Sequence, residues 1–281
     1  MIIWIASYPK SGNTWLRTLL SAYYYSKDGI FFDNLIKNIG QFPEKRHFEG
    51  FKYDQTNVTD TTRFWIKAQE KINQDKKLRF FKTHNILGNI NGQNFTDKKN
   101  TIGAIYIVRD PRNIITSLCN HYSFTQEQAY INLIDKNASL SEKSVNGDCS
   151  NFTFLGSWSN HYKSWRDIKD FKVLFLKYED LQNDKIKIFR KIINFIYELQ
   201  GSKNMIDEGK FENCVRSTNF ATLKNKELNE KFEESVYSKD GKKINFFNLG
   251  FKNKWQNYLE KDILEKLNQV YKNDLINLGY I

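Results

Sequence analysis

Residues 1–23 read MIIWIASYPKSGNTWLRTLLSAY, an apolar run, a tight turn and an amphipathic stretch. The apolar run Met1–Ala6 is typical of a buried strand, and the leucines after Trp15 share one helical face. A strand, a turn and a helix in this order leave unpaired N–H groups at the helix start, which bind anions. Lys10 adds a full positive charge. Ser11, Asn13 and Thr14 add side-chain hydrogen-bonding groups, and Gly12 belongs to the tight turn that precedes Trp15. The chain therefore begins with a phosphate-sized or sulfate-sized binding loop.

The turn is not a Walker A loop, which needs Gly-x-x-x-x-Gly-Lys-Ser/Thr. Here the lysine precedes the glycine, and neither Gly-Lys-Ser nor Gly-Lys-Thr occurs in the sequence. The segment Tyr8–Trp15 closely resembles the 5′-phosphosulfate loop of the sulfotransferases that use PAPS (3′-phosphoadenosine 5′-phosphosulfate). Those enzymes usually have threonine at the position of Asn13, and an asparagine amide can still donate a hydrogen bond. The resemblance is to a cytosolic-type, bacterial-like member of that family.

A second anion site is predicted after the apolar run Thr101–Val108, where Arg109 precedes a helix that starts at Pro111. An arginine can bind a phosphate through two parallel N–H bonds. Ser117 lies two helical turns further and can point its hydroxyl the same way. An arginine and a serine at this spacing resemble the pair that grips the 3′-phosphate of PAPS in the sulfotransferases.

The candidate for the chemistry is the segment Phe81-Lys82-Thr83-His84. It resembles the family's Lys-Thr-His segment at the end of a central strand, which implies that His84 is the general base and that Lys82 contacts the transferring group. A histidine suits proton abstraction because its unperturbed pKa is about 6.5. The resemblance makes Lys10 the third catalytic residue. The remaining histidines stand without such a context and are assigned no role: His47, His121 and His161.

Two further segments resemble the family's adenine-binding parts. Tyr178 belongs to a Tyr-Glu-Asp segment, and Thr218 and Phe220 belong to a Thr-Asn-Phe segment. With Trp15 on the opposite side, the resemblance implies an aromatic sandwich around the base.

The family's C-terminal phosphate-binding segment is degraded here, because Asn248 and Leu249 stand where the family has an Arg-Lys pair. Lys252 or Lys254 is the candidate for supplying the missing charge to the donor. The family's C-terminal dimerisation motif is not visible, so the sequence predicts no particular oligomeric state.

Strand-like and helix-like runs alternate along the chain, which predicts a parallel sheet with helices on both faces. We expect an α/β fold, a P-loop-like three-layer sandwich, with the strand Lys172–Leu176 near its centre. A single domain is predicted over residues 1–281, with insertions near 27–74 and 123–151 that form the acceptor side. A flexible loop is predicted over residues 139–147, a helix over 154–167 and a last helix over 259–278.

Composition limits the other function classes. The net charge of +11 suits an anionic partner, which could be a nucleotide, an acidic glycan, a nucleic acid or a membrane surface. The three cysteines are too few and too scattered for a disulfide framework or a zinc site, and no metal is expected. No apolar run is long enough to span a bilayer, and the simplest location is the cytoplasm.

The function predicted from these residues is transfer of a sulfuryl group from PAPS to a hydroxyl or amine of a small-molecule or glycan acceptor, with adenosine 3′,5′-bisphosphate (PAP) as product. PAPS is the expected cosubstrate, and no nucleic acid beyond this mononucleotide is expected to bind. Two alternatives stay open at this point. A nucleotide kinase would need a Walker lysine and a magnesium-binding hydroxyl after it. A non-enzymatic polyanion binder would explain the positive charge and would show strong salt dependence.

Overall fold

A four-stranded parallel sheet lies at the centre of the protein in a computed structural model that describes residues 1–142, 151–229, 232, 234, 236–237 and 243–281. The strands are β1 (Ile2–Ser7), β2 (Arg79–Thr83), β3 (Asn89–Ile90), β4 (Gln93–Asn94), β5 (Thr101–Val108), β6 (Ser139–Glu142), β7 (Asn151–Phe154), β8 (Lys172–Lys177), β9 (Val236–Tyr237) and β10 (Lys243–Ile244). The order in the central sheet is β2-β1-β5-β8, and the other strands form three small hairpins.

The two middle strands are apolar on both faces because helices cover both sides of the sheet. All six residues of β1 are buried. Trp4 and Tyr106 belong to the core on one side of the sheet, while Ile3 and Ile5 belong to the core on the other side. This alternation follows the two-residue period of a strand.

Eleven α-helices are found in the described part of the chain: α1 (Asn13–Tyr25), α2 (Trp65–Ile72), α3 (Pro111–Tyr122), α4 (Gln126–Ile134), α5 (Trp158–Arg166), α6 (Tyr178–Asn183), α7 (Lys185–Leu199), α8 (Glu208–Ser217), α9 (Phe220–Asn229), α10 (Lys261–Val270) and α11 (Lys272–Asn277). Buried side chains of α1, α7 and α8 pack with Ile3 and Ile5, and those of α3, α5 and α10 pack with Trp4. The predicted three-layer α/β arrangement is confirmed. Among the described residues, no helix is long and apolar enough to cross a membrane.

Two expectations about strand position are wrong. The strand predicted near the centre, β8, has β5 as its one partner among the described strands and lies at one edge of the sheet. The strand that carries Lys82, β2, lies at the other edge of the sheet rather than centrally. Its outer side is partly covered, since the Lys82 N–H donates to the Gly40 carbonyl at 2.8 Å and the Lys82 carbonyl accepts from the Phe42 N–H at 2.9 Å. Gly40 and Phe42 therefore hydrogen-bond the backbone groups of Lys82 that point away from the sheet at this edge.

The middle of the chain differs from the sequence prediction in three places. Residues 139–142, predicted as loop, form strand β6 and pair with β7, and the rest of the predicted loop lies outside the described residues. The helix predicted from residue 154 begins at Trp158, because Phe154 belongs to β7. The last predicted helix is two helices, α10 and α11, which meet at Tyr271.

Candidate functional site

The loop between β1 and α1 adopts the backbone conformation that an anion site needs. Lys10 and Gly12 have positive φ angles of 64° and 98°. A Cβ on Gly12 would lie 2.4 Å from the ring of Tyr178, so the turn and the close approach both favour glycine. The loop thereby ends at the start of α1, where N–H groups carry partial positive charge.

Arg109 follows β5 and lies directly beside this loop. Its guanidinium donates to the Lys10 carbonyl at 2.8 Å and to the Ser117 hydroxyl at 3.2 Å, and it stacks 4.3 Å over the Tyr178 ring. Its Nε is buried and has no hydrogen-bond partner in the described part of the chain. An unsatisfied buried donor costs about 1–3 kcal/mol, so a bound oxyanion at this atom would remove that cost.

Most of the residues predicted for the site line one cavity of about 670 Å³. They are Lys10, Gly12, Asn13, Thr14, Trp15, Lys82, His84, Arg109, Ser117, Tyr178 and Phe220. Ser11 is fully buried behind the loop, and its Oγ has no partner among the described residues. The two predicted anion sites therefore open onto the same cavity.

His84 is fixed by contacts with β1. Its Nδ1 lies 2.7 Å from the Ser7 carbonyl and 3.3 Å from the Ser7 hydroxyl. A carbonyl can only accept a hydrogen bond, so Nδ1 carries the proton and donates a hydrogen bond to the Ser7 carbonyl. Burial and the nearby Lys82 hold the pKa of His84 well below 6.5. The ring is therefore neutral near pH 7, with an unprotonated Nε2 as the nitrogen available to a substrate.

The carboxylate of Glu234, from a distant part of the chain, lies beside Lys82 and the first helix. Glu234 contacts the hydroxyl of Thr14 and pairs with the guanidinium of Arg17, and its Oε1 lies 3.8 Å from Lys82 Nζ. Although burial opposes ionisation, Lys82 and Arg17 hold the pKa of Glu234 well below its ordinary value. A carboxylate therefore lies among the groups predicted to hold the sulfuryl end of the donor.

The ammonium group of Lys10 is the most perturbed cation of the loop. Its Nζ lies 4.0 Å from the centre of the Phe246 ring. Burial lowers the pKa of Lys10 to about 7, Glu234 opposes this shift, and Lys82 and Arg109 reinforce it. Lys10 is thus poised to gain charge when an anion enters the cavity.

Comparison with known proteins gives the family. Residues 2–279 match the family model of the sulfotransferase domain. The chain belongs to the sulfotransferase family. Sulfotransferase 1B1 of Canis lupus familiaris is 24% identical to this sulfotransferase over 273 residues, which cover 96% of the chain and 82% of the relative.

Two solved structures share the fold of this sulfotransferase. Retinol dehydratase in complex with retinol and PAP has a TM-score of 0.57 and 19% identity, over 98% of this chain and 81% of that one. Mouse sulfotransferase SULT7A1 complexed with PAP has a TM-score of 0.53 and 20% identity, over 97% of this chain and 83% of that one.

The three aromatic residues predicted around the adenine, Trp15, Tyr178 and Phe220, all line the sulfotransferase cavity. Phe220 packs against Gly250, where a Cβ would lie 2.3 Å from its ring. The Trp15 indole N–H donates to the Thr218 carbonyl at 2.9 Å. Thr218 itself is buried and its hydroxyl donates to the Cys214 carbonyl at 2.6 Å, so it supports Trp15 and does not line the cavity. A direct contact of Thr218 with the base stays a prediction.

The C-terminal segment presents an amide to the cavity of the sulfotransferase, where the sequence analysis expected a lysine. Lys252 and Lys254 are exposed, and neither lines the cavity. Asn253 lies between them and does line it, with Nδ2 3.1 Å from the Ser117 hydroxyl and Oδ1 accepting from Thr116 at 2.5 Å. The short turn at Gly250–Lys252 directs Asn253 inward. A role for either lysine in donor binding stays a prediction.

Sequence reasoning missed two other residues of this cavity. His121 lines it, and burial, with Lys10 and Lys82, lowers the pKa of His121 to about 4. It lies one helical turn beyond Ser117 on α3, so the helical period offered a signal. Glu234 lies in a polar stretch far along the chain, and no local pattern links it to the loop at Thr14.

The two predicted insertions both contribute to the cavity wall. Residues 27–74 supply Gln41, Glu44, Lys45 and Arg46, while residues 123–151 supply Leu140 and Asn151. In the described part of the chain, no group of three or more histidine, cysteine, aspartate or glutamate side chains could hold a metal ion.

Proposed function

We propose that this sulfotransferase moves a sulfuryl group from PAPS to a hydroxyl or amine of an acceptor and releases PAP. The observation that carries the proposal is the meeting of two oxyanion sites, around Lys10 and Arg109, in one cavity that His84 also lines. PAPS has a phosphosulfate at one end of its ribose and a phosphate at the other, so it needs two such sites. The relatives solved with PAP support the same nucleotide here.

The residues of the cavity suit this donor. We assign the phosphosulfate to the loop from Lys10 to Thr14 and to Lys82, and the 3′-phosphate to Arg109 and Ser117. Arg109 lines the cavity and its Nε is buried without a partner in the described part of the chain, and a polar atom buried without a partner points to a missing ligand. We assign the adenine to the space bounded by Trp15, Tyr178 and Phe220.

The chemistry of the chain follows from the protonation states. PAPS supplies an activated sulfuryl group when it is bound. His84 takes the proton of the attacking hydroxyl at Nε2, while its Nδ1–H keeps its hydrogen bond to the Ser7 carbonyl. Lys10 stabilises the negative charge that develops on the oxygen between phosphorus and sulfur as the S–O bond breaks, and Lys82 assists. One donor of this kind can be worth about 10²–10³ in rate.

We propose that the acceptor is a small molecule or glycan with several hydrogen-bonding groups. The wall contributed by the insertions includes a carboxamide, a carboxylate and two cationic side chains, from Gln41, Glu44, Lys45 and Arg46. Arg46 and Glu44 pair with each other at 2.8 Å. These side chains are half-buried or exposed and present several hydrogen-bond donors and acceptors, so a polar acceptor fits this wall better than a hydrocarbon.

The first experiment separates this proposal from a kinase and from a polyanion binder. We expect PAP to raise the melting temperature, whereas ATP with magnesium and heparin raise it less. PAPS should then be offered with 4-nitrophenol, tyramine, glucosamine and glycerol, and sulfated product and PAP should be measured by mass spectrometry. Stabilisation by ATP with magnesium but not by PAP would contradict the proposal, as would PAP binding without turnover of any acceptor.

A further inference from the structure

Three side chains of α5 hold the backbone that follows strand β2. His161 Nε2 lies 2.9 Å from the His84 carbonyl, and the Trp165 indole N–H donates to the Asn85 carbonyl at 3.0 Å. Ser164 accepts from the Leu87 N–H at 3.0 Å. Positions 161, 164 and 165 share one helical face, so α5 holds the segment from His84 to Leu87 on one side. Strand β7 also holds it, because the Ile86 N–H donates to the Phe154 carbonyl at 2.8 Å. Residues 84–87 belong to neither a helix nor a strand.

The hydrogen bonds of His161 define its tautomer. The His84 carbonyl can only accept, so His161 Nε2 must carry the proton. Burial lowers the pKa of His161 to about 4, so the ring is neutral near pH 7 and Nδ1 has a lone pair. The Tyr106 hydroxyl lies 2.8 Å from that nitrogen and donates to it.

The chain of hydrogen bonds thus runs in one direction. It starts at the Tyr106 hydroxyl, passes through the His161 ring, and ends at the His84 carbonyl. Every donor has an acceptor, and a fully satisfied buried network rigidifies the groups that it joins. Two contacts therefore fix His84, with Ser7 holding its ring and His161 holding its backbone.

We propose that His161, which donates from Nε2–H to the His84 carbonyl and accepts at Nδ1 from Tyr106, is a positioning residue for the catalytic base His84. The inference rests on the proposed function, because it gives His84 the role of base. His161 is fully buried, does not line the cavity and packs on Tyr8 with 5.4 Å between the ring centres, so it acts through His84 and not on substrate. Fixing His84 Nε2 in place matters because a displacement of 1 Å can cost about 10²-fold in rate.

Replacement of His161 by leucine and by glutamine tests the proposal. Leucine fills the space without donating, whereas a glutamine amide can donate to the His84 carbonyl and accept from Tyr106. With PAPS and the fastest acceptor of the panel above, we expect His161→Leu to lower kcat by about 10- to 100-fold, with KM for PAPS and affinity for PAP within about twofold of wild type. We expect His161→Gln to restore most of kcat.

Gln69→Leu provides the matched control. Gln69 is fully buried and, like His161, uses both ends of its polar group, donating to the Phe95 carbonyl and accepting from Thr96. We expect this variant to lower the melting temperature and leave kcat unchanged. Unchanged kcat in His161→Leu, or a loss that glutamine does not restore, would overturn the proposal. Wild-type protein without turnover would instead overturn the proposed function.

A spectroscopic test does not depend on the folding of any His161 variant. In a long-range ¹H–¹⁵N spectrum of wild-type protein labelled at histidine nitrogens, we expect opposite neutral tautomers at pH 7, with the proton on Nε2 of His161 and on Nδ1 of His84. Assignment of His84 uses the signal lost in His84→Gln. A charged His161, or a proton on its Nδ1, would overturn the proposal.

Discussion

The guanidinium of Arg109 donates a hydrogen bond of 2.8 Å to the main-chain carbonyl of Lys10. This bond joins the two oxyanion sites that end neighbouring strands, since β1 and β5 pair in register from Ile3 to Ser7. Ligands of open α/β sheets bind at the carboxyl ends of the strands, which is where both residues lie. The positions of the two cations are therefore set together by the sheet and by a direct contact.

The charge of Lys10 should make nucleotide binding depend on pH. Burial lowers the pKa of Lys10 to about 7 in the free protein, and the cation is the form that binds an anion. As pH rises through that value the cation is lost, so affinity for PAP should fall by up to about tenfold per pH unit. In Lys10→Arg the charge persists, and the dependence should flatten between about pH 7 and pH 9, where phosphate is already ionised. Equal slopes in calorimetric titrations of both proteins would exclude Lys10 as the titrating group.

Removal of the base should abolish turnover without removing the donor site. We expect His84→Ala to lower kcat by about 10²- to 10⁴-fold and to keep the wild-type affinity for PAP. Because burial and Lys82 lower the pKa of His84, wild-type kcat should hold at pH 6.5 and decline only as pH falls below it. A kcat for His84→Ala close to that of wild type would contradict the role of His84 as base. A fall of wild-type kcat on acidification with its midpoint above pH 6.5 would contradict it as well.

The carboxylate of Glu234 should compete with the donor. It contacts Thr14 and Arg17 and lies 3.8 Å from Lys82, so an incoming phosphosulfate must displace it from Lys82. Loss of one such pairing is worth about 1 kcal/mol, and Glu234→Gln should therefore bind PAP about fivefold more tightly. Glu265→Gln, an exposed change on α10, should bind like wild type. Weaker binding by Glu234→Gln would mean that the carboxylate orients the cations for the donor.

Strong local signals predicted parts of the fold to the residue. The apolar run Thr101–Val108 is strand β5 and the helix that starts at Pro111 is α3, because a buried run and a helix-starting proline are local features. The order of the strands is not local, which is why β8 was misplaced. The polar strand Ser139–Glu142 exists through its pairing with β7.

The residues of the candidate site likewise fall into those that a local motif predicts and those that only tertiary contacts bring into place. The binding loop, Arg109 and His84 stand in motifs with a recognisable order, so they could be predicted from the sequence. His161 acts through a helix distant in sequence, and Glu234 reaches Thr14 across 220 positions. Such contacts depend on tertiary packing, and a single sequence carries no local pattern for them.

The affinity ratio between PAP and adenosine 5′-monophosphate tests most directly whether Lys10 and Arg109 bind opposite ends of one nucleotide. The two ligands differ only in the 3′-phosphate, so the ratio reports the contact assigned to Arg109. In calorimetric titrations we predict that wild type and Lys10→Ala prefer PAP by a similar factor, while Lys10→Ala binds both ligands more weakly, and that Arg109→Ala loses the preference. A preference for PAP that survives in Arg109→Ala would contradict the assignment of the two sites.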